Sequence, residues 1–149
     1  MGREYPERPI AAVGAFIVRE DGRILMVRRA HDPGAGEWSI PGGAIELGET
    51  SVEAVRREVE EEVGIRISEP KLIDIYDSIF RDSWGRIRYH YVIIEYVARP
   101  LSLDVRPSRE VLEYRWLGLG EIMDMETVPS VKVVIRRNLD TFKKICGGV

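Results

Sequence analysis

Between positions 49 and 62 the chain carries Glu49, Arg57, Glu58, Glu60, Glu61 and Glu62. Val52, Val55, Val59 and Val63 recur at spacings of three and four, which predicts a helix from Ser51 to Val63 with one apolar stripe. On a helical wheel of about 100° per residue, Glu58 and Glu62 fall together beside that stripe and Glu61 somewhat further round. Carboxylates at these spacings are neighbours and repel one another. Together they supply the oxygen donors that a hard divalent cation such as Mg²⁺ takes. A solvated charged face is the other reading of a glutamate-rich helix, and spacing alone leaves both open. The place of the acids beside the core stripe weighs toward a metal. So do Gly42-Gly43 and Gly48 ahead of the helix, where a glycine backbone can approach a ligand closely. Arg57, four residues before Glu61, is spaced to pin that carboxylate.

Other elements must hold this helix in place. Thr50 and Glu53 have the form of a capping box, and Gly64 stands where a helix end calls for a left-handed residue. Ile10–Val18 and Arg23–Arg29 read as strands joined by an Asp21-Gly22 hairpin turn. Trp38-Ser-Ile-Pro-Gly-Gly reads as a short strand broken by Pro41. Leu72–Phe80, Tyr89–Val97 and Glu113–Leu117 are further strands, with a helical turn about Glu121–Met125. After Pro129-Ser130 a helix is expected to run to about Ile145, with Val131, Val134, Ile135, Leu139, Phe142 and Ile145 facing inward. Strands before, between and after two helices predict an α/β sandwich, a mixed sheet covered by helices.

Composition bounds the reading. The 149 residues fit one domain, spanning 1–149, by a prior of ~100–200 residues each. With 44% apolar and 32% charged residues the chain reads as an ordinary globule. No apolar run approaches the ~18 residues of a membrane span, and no apolar signal core opens the chain, so the expectation is a cytoplasmic protein without a membrane partner. The single Cys146 excludes an internal disulfide and reads as inert. A net charge of −3 argues against a nucleic-acid polymer as partner.

The segment Gly43, Glu49 and Arg57-Glu58-Val59-Glu60-Glu61-Glu62-Val63-Gly64-Ile65 resembles the signature of the Nudix hydrolases, with every specified position filled. The resemblance implies a Nudix-type α/β/α sandwich carrying a loop–helix–loop catalytic module, its box spanning 43–65. It implies Mg²⁺- or Mn²⁺-dependent hydrolysis of a nucleoside diphosphate linked to another moiety. It also implies a metal shell of Glu58, Glu62, Glu61 and the Gly42 carbonyl, with Arg57 orienting the glutamates and Glu49 supporting the module from its other end. The general base is implied at either Glu61 or Glu110. Family members are often dimers, which leaves a homodimer open here.

Within that family, Arg28-Arg29-Ala30 with Asp32-Pro33-Gly34 before Trp38, the strand Tyr89–Ile94 and the overall size most resemble the small ADP-ribose pyrophosphatases. That resemblance implies ADP-ribose as substrate, giving AMP and ribose 5-phosphate. A hydrolase sanitising oxidised nucleoside triphosphates and a non-catalytic nucleotide-sensing module are the alternatives. Arg28 and Arg29 suit phosphate oxygens, but neighbours on a strand point to opposite faces, so one of the two is expected to face the site. Trp38, Phe80, Trp84, Tyr89 and Tyr91 are candidates to stack on a base, each with packing as the competing role. His90 reads as a structural histidine.

Overall fold

The protein is described by a computed structural model in which residues 3–147 are placed. In chain order the elements are β1 (Ile10–Ile17), β2 (Ile24–Arg29), β3 (Trp38–Ser39), β4 (Gly42–Ala44), α1 (Ser51–Val63), β5 (Lys71–Arg81), β6 (Ile87–Ala98), β7 (Val111–Leu117), α2 (Leu119–Met123), α3 (Pro129–Arg137) and α4 (Leu139–Cys146).

The strands form two sheets where the sequence predicts one. A four-stranded mixed sheet runs β4-β1-β6-β5, with β1 and β6 parallel. A three-stranded antiparallel sheet runs β3-β2-β7. The Asp21-Gly22 turn forms, with Gly22 at φ 88° and the Arg19 amide donating to the Arg23 carbonyl at 2.7 Å. It does not make the expected hairpin, because both edges of β1 are taken by β4 and β6. After the single Val18–Ile24 bridge, β2 therefore leaves for the other sheet. The chain crosses back at Ile40-Pro41, which splits the expected short strand into β3 and β4 in different sheets.

Strand alternation sends alternate side chains of β1 and β2 into two separate cores. Val13, Ala15, Ile17, Leu25 and Val27 pack with Val55, Val59 and Val63 of α1. Phe16, Val18, Ile24 and Met26 pack with Ile122, Val131, Val134, Ile135 and Phe142 from α2, α3 and α4. The Phe16 and Phe142 rings meet edge-on at 4.9 Å. The two sheets thus lie between α1 and the C-terminal helices, as an α/β sandwich.

The expected long C-terminal helix is broken at Asn138 (φ −124°, ψ 33°). Its side-chain amide donates to the Val134 carbonyl and to Asp74 Oδ2, both at 2.9 Å, which ties the break to β5. The break turns Leu139 outward to 41% exposure, contrary to its expected inward place, while Phe142 and Cys146 remain buried. Burial raises the Cys146 thiol above its ordinary pKa, which leaves it a poor nucleophile. No helix of the described residues is long and apolar enough to cross a membrane.

Helix α1 begins and ends as its sequence predicts. The Glu53 amide donates to Thr50 Oγ1 at 3.1 Å and the Thr50 amide to Glu53 Oε1 at 2.9 Å. Gly64 closes the helix at φ 71°, its amide donating to the Glu60 carbonyl. Thr50→Ala removes one arm of this cap. It is expected to cost about 1 kcal/mol, a fall of about 2–4 °C in melting temperature for a chain of this size, read by thermal unfolding. An unchanged melting temperature would show that packing alone fixes this helix.

Candidate active site

The glutamates of α1 are organised by Arg57. Its Nε and Nη2 donate to the two oxygens of Glu49 at 2.7 and 2.9 Å. Nη1 donates to Glu58 Oε1 at 2.8 Å and to Glu61 Oε2 at 3.1 Å. Nη2 also reaches the Ala44 carbonyl at 3.1 Å. The five N–H donors of a guanidinium are matched by five acceptors, a pattern an ammonium group cannot reproduce. The network joins the loop before α1 to the acidic face of the helix itself. The glycine pair sits against that face. A Cβ at Gly43 would overlap the Glu58 carboxylate, and one at Gly42 would overlap the Val13 carbonyl.

Burial grades the glutamates. Glu61 is 62% exposed along its side chain, against 15% for Glu58. Glu62 is buried, and accepts from the Gly42 amide at 3.4 Å. Burial pushes the Glu62 carboxyl up to about 8, an effect that the Gly42 amide and Arg29 oppose and that Glu110 and Glu58 reinforce. Burial likewise raises Glu58, against the pull of Arg57. Among the described residues no three His, Cys, Asp or Glu side chains converge as they stand on a point that could hold a metal ion. Arg57 and the Gly42 amide hold the carboxylates individually instead. The donor chemistry still fits a hard divalent cation: the carboxyl oxygens are crowded, a cation favours their ionised form, and Mg²⁺ takes only one or two carboxylates while keeping several waters.

These groups line one side of a cleft of about 820 Å³, within the range of small-molecule sites. Glu58, Glu61, Glu62, Arg57, Gly42 and Gly43 lie on its wall together with Arg29 and Glu110. Glu110 belongs to a loop fastened to the end of α1, where the Ser108 amide donates to the Glu62 carbonyl and the Arg106 amide to the Val63 carbonyl, both at 2.8 Å. Arg29 Nε is fixed by the Pro33 carbonyl at 2.7 Å. Of the adjacent arginine pair only Arg29 lines the cleft. Arg28 turns away, its Nε donating to the Gly36 carbonyl at 2.9 Å and its Nη1 lying 3.6 Å from Glu113. Trp38 also lies outside the cleft lining. It is buried in the core beside α3, and the Arg115 guanidinium covers its ring at 5.2 Å. Phe80, Tyr89 and Tyr91 line the cleft, while Trp84 stands 83% exposed in the turn between β5 and β6. Sequence reasoning passed over Ser39, Ser78 and Glu95, three buried polar residues that also line the cleft. The signal for Glu95 was a lone carboxylate inside an apolar strand.

The Arg57–Glu49 pair sets a pH dependence of stability. Hydrogen bonding to Arg57 holds the Glu49 carboxyl down at about 2. A depressed acid stabilises the fold above the ordinary carboxylate range, and that contribution is lost as pH falls through the lowered value. Glu49→Gln should therefore melt below the wild type at about pH 7, with the gap closing toward about pH 2. Paired thermal melts across that range check this, and a gap independent of pH would rule out the ion pair as its source.

Comparison with known proteins agrees with this geometry. A family model described as "NUDIX domain" matches residues 8–137. A "MutT-like protein" of Streptomyces ambofaciens is 35% identical over 124 residues, covering 83% of this chain and 73% of that one. An "ADP-ribose pyrophosphatase" of Methanocaldococcus jannaschii is 30% identical over 123 residues, covering 83% of this chain and 66% of that one. The crystal structure of a MutT NUDIX hydrolase from Burkholderia pseudomallei superposes with a TM-score of 0.77 at 31% identity, covering 87% of this chain and 98% of that one. A family match over most of the chain, with Gly43, Arg57, Glu58, Glu61 and Glu62 of the signature lining one cleft, leads to one conclusion: the protein belongs to the Nudix family and is a hydrolase of the pyrophosphohydrolase type.

Proposed function

We propose that the chain folds as one Nudix domain and cleaves the pyrophosphate of ADP-ribose, water adding across the P–O–P anhydride to give AMP and ribose 5-phosphate. The observation that carries the hydrolytic part is the Arg57-bound glutamate set sharing one cleft with Arg29. Support for ADP-ribose comes from the relative of that activity at 30% identity and from the aromatic wall of Phe80, Tyr89 and Tyr91. A "Nucleoside triphosphatase NudI" of Escherichia coli, 30% identical over 129 residues and covering 80% of this chain and 90% of that one, favours a nucleoside triphosphate as the second reading.

Glu58, Glu62, Glu61 and the Gly42 carbonyl would hold the divalent cation, Mg²⁺ or Mn²⁺. Bound there, it supplies charge neutralisation at the pyrophosphate and a lowered pKa for attacking water. The protein's own residues do the rest. Arg29 offers a guanidinium, already oriented by Pro33, to phosphate oxygens. Arg57 holds Glu58 and Glu61 on one nitrogen against their mutual repulsion, so little reorganisation remains at the moment of reaction. Glu61, the most exposed of the three, takes the proton of the attacking water; Glu110, fastened beside the acidic cluster, is the alternative base.

Three outcomes follow. A panel of ADP-ribose, nucleotide sugars and nucleoside triphosphates with Mg²⁺, read by product mass, should show AMP and ribose 5-phosphate from ADP-ribose as the fastest reaction. Faster release of pyrophosphate from a triphosphate would move the assignment to the second reading. Glu62→Gln should lower kcat by about 10²-fold or more, the scale of losing one preorganised charged group; full turnover at saturating Mg²⁺ would remove Glu62 from the metal shell. Of Glu61→Gln and Glu110→Gln, the variant that loses the acid limb of the pH–rate profile identifies the base.

A further inference from the structure

Strand alternation places Tyr89, Tyr91, Ile93 and Glu95 of β6 on the cleft-facing side of the four-stranded sheet. Glu95 is 2% exposed. Its Oε2 is the one buried side-chain N or O atom without a hydrogen-bond partner among the described residues. Buried polar groups are ordinarily paired, and each exception calls for a reason. Asp74, directly opposite on β5, supplies none, since it is itself engaged by the Asn138 amide at 2.9 Å and lies 3.8 Å from Arg137. On the other side Glu95 is in register with Gly14, which is in register with Gly42. A Cβ at Gly14 would stand 3.0 Å from Glu95 Oε2 and 3.2 Å from Ile40 Cδ1. The carboxyl group therefore lies over a bare stretch of backbone. Beside it along the strand are the apolar Ile93 side chain and then the Tyr91 ring, which lies 16° from parallel to Tyr89 with centroids 6.5 Å apart. Every buried polar residue of the described chain, Ser39, Glu62, Ser78 and Glu95, lines this same cleft.

We propose that Glu95 is a specificity-determining residue, its unpaired carboxyl oxygen accepting from the N–H edge of the nucleobase carried by the ligand. The inference rests on the reading of the cleft as a nucleotide site. An apolar floor ending in one polar acceptor suits a planar heterocycle, while the guanidinium of Arg29 suits phosphate. Burial, with the Asp74 charge opposite, pushes the Glu95 carboxyl up to about 8. Near neutral pH the group thus also offers an O–H, and an amide of the same outline imitates it.

The test compares the whole protein with Glu95→Met and Glu95→Gln, measuring calorimetric binding of AMP, GMP, UMP and ribose 5-phosphate, and melting without ligand. The expected result is that Glu95→Met weakens the preferred nucleoside monophosphate by about tenfold, the scale of one lost hydrogen bond, and leaves ribose 5-phosphate unchanged. Glu95→Gln recovers most of that loss. Glu95→Met also melts above the wild type without ligand, because it removes an unpaired buried polar group. With ADP-ribose as substrate its KM moves more than its kcat. A Glu95→Met protein that binds the monophosphate as the wild type does, or loses only ribose 5-phosphate, overturns the inference while the nucleotide reading stands. So does one that melts lower and loses all four ligands together, which would make Glu95 a structural support. A wild type that binds none of the monophosphates overturns both readings.

Discussion

One guanidinium holds the site together. Among the described residues Arg57 is the only cation in hydrogen-bond contact with the α1 carboxylates, and its donors are all committed. Without it, Glu58 and Glu61 would repel across a single helical turn and Glu49 would lose the contact that draws the glycine loop onto the helix. Because three of its five acceptors, both Glu49 oxygens and the Ala44 carbonyl, lie outside α1, the same side chain fixes both the spacing of the acids and the angle of the loop. A lysine could balance charge at that position but could not span so many partners.

Arg57 does not reach Glu62, and the protein manages that residue differently. Burial holds its carboxyl close to neutral at physiological pH, with only the Gly42 amide and the field of Arg29 favouring ionisation. The acidic face therefore contains two kinds of carboxylate. Glu58 and Glu61 are compensated by a fixed cation, and Glu62 by a proton that a more strongly bound charge can displace. The net charge of −3 conceals this arrangement, because arginines placed beside the acids cancel most of it in the sum.

Helix α1 was legible in full because three local signals agree: the 3.6-residue valine period, the Thr50–Glu53 cap and Gly64. The glutamates were legible for the same reason, since a helical period fixes which of them share a face. Strands were harder. Their existence was readable from apolar runs, but the parting of β1 and β2 into two sheets depends on which edges are already occupied, a fact set by β4 and β6 far along the chain. Trp38 illustrates the limit: a two-residue strand carries no periodicity, so nothing local indicated that its ring enters the core. The break at Asn138 was hidden because apolar residues continue in register on both sides, and the tertiary contact made there is to a residue 64 positions away, Asp74. Glu95 stands out in the sequence as a lone carboxylate in an apolar strand, but its place in the cleft depends on which face of β6 meets it.

The crossings at Asp21-Gly22 and Ile40-Pro41 have a mechanical side. They make the cleft a seam between two sheets rather than a pit in one, with Arg29 on one bank and the β6 surface on the other. The banks are joined by two short covalent bridges and by the cores beneath. An occupant whose phosphates touch Arg29 while its ring rests on β6 acts as a strut across the seam. Its length, as well as its chemistry, then decides whether both ends can be seated at once, so the seam measures a ligand as a pair of callipers would.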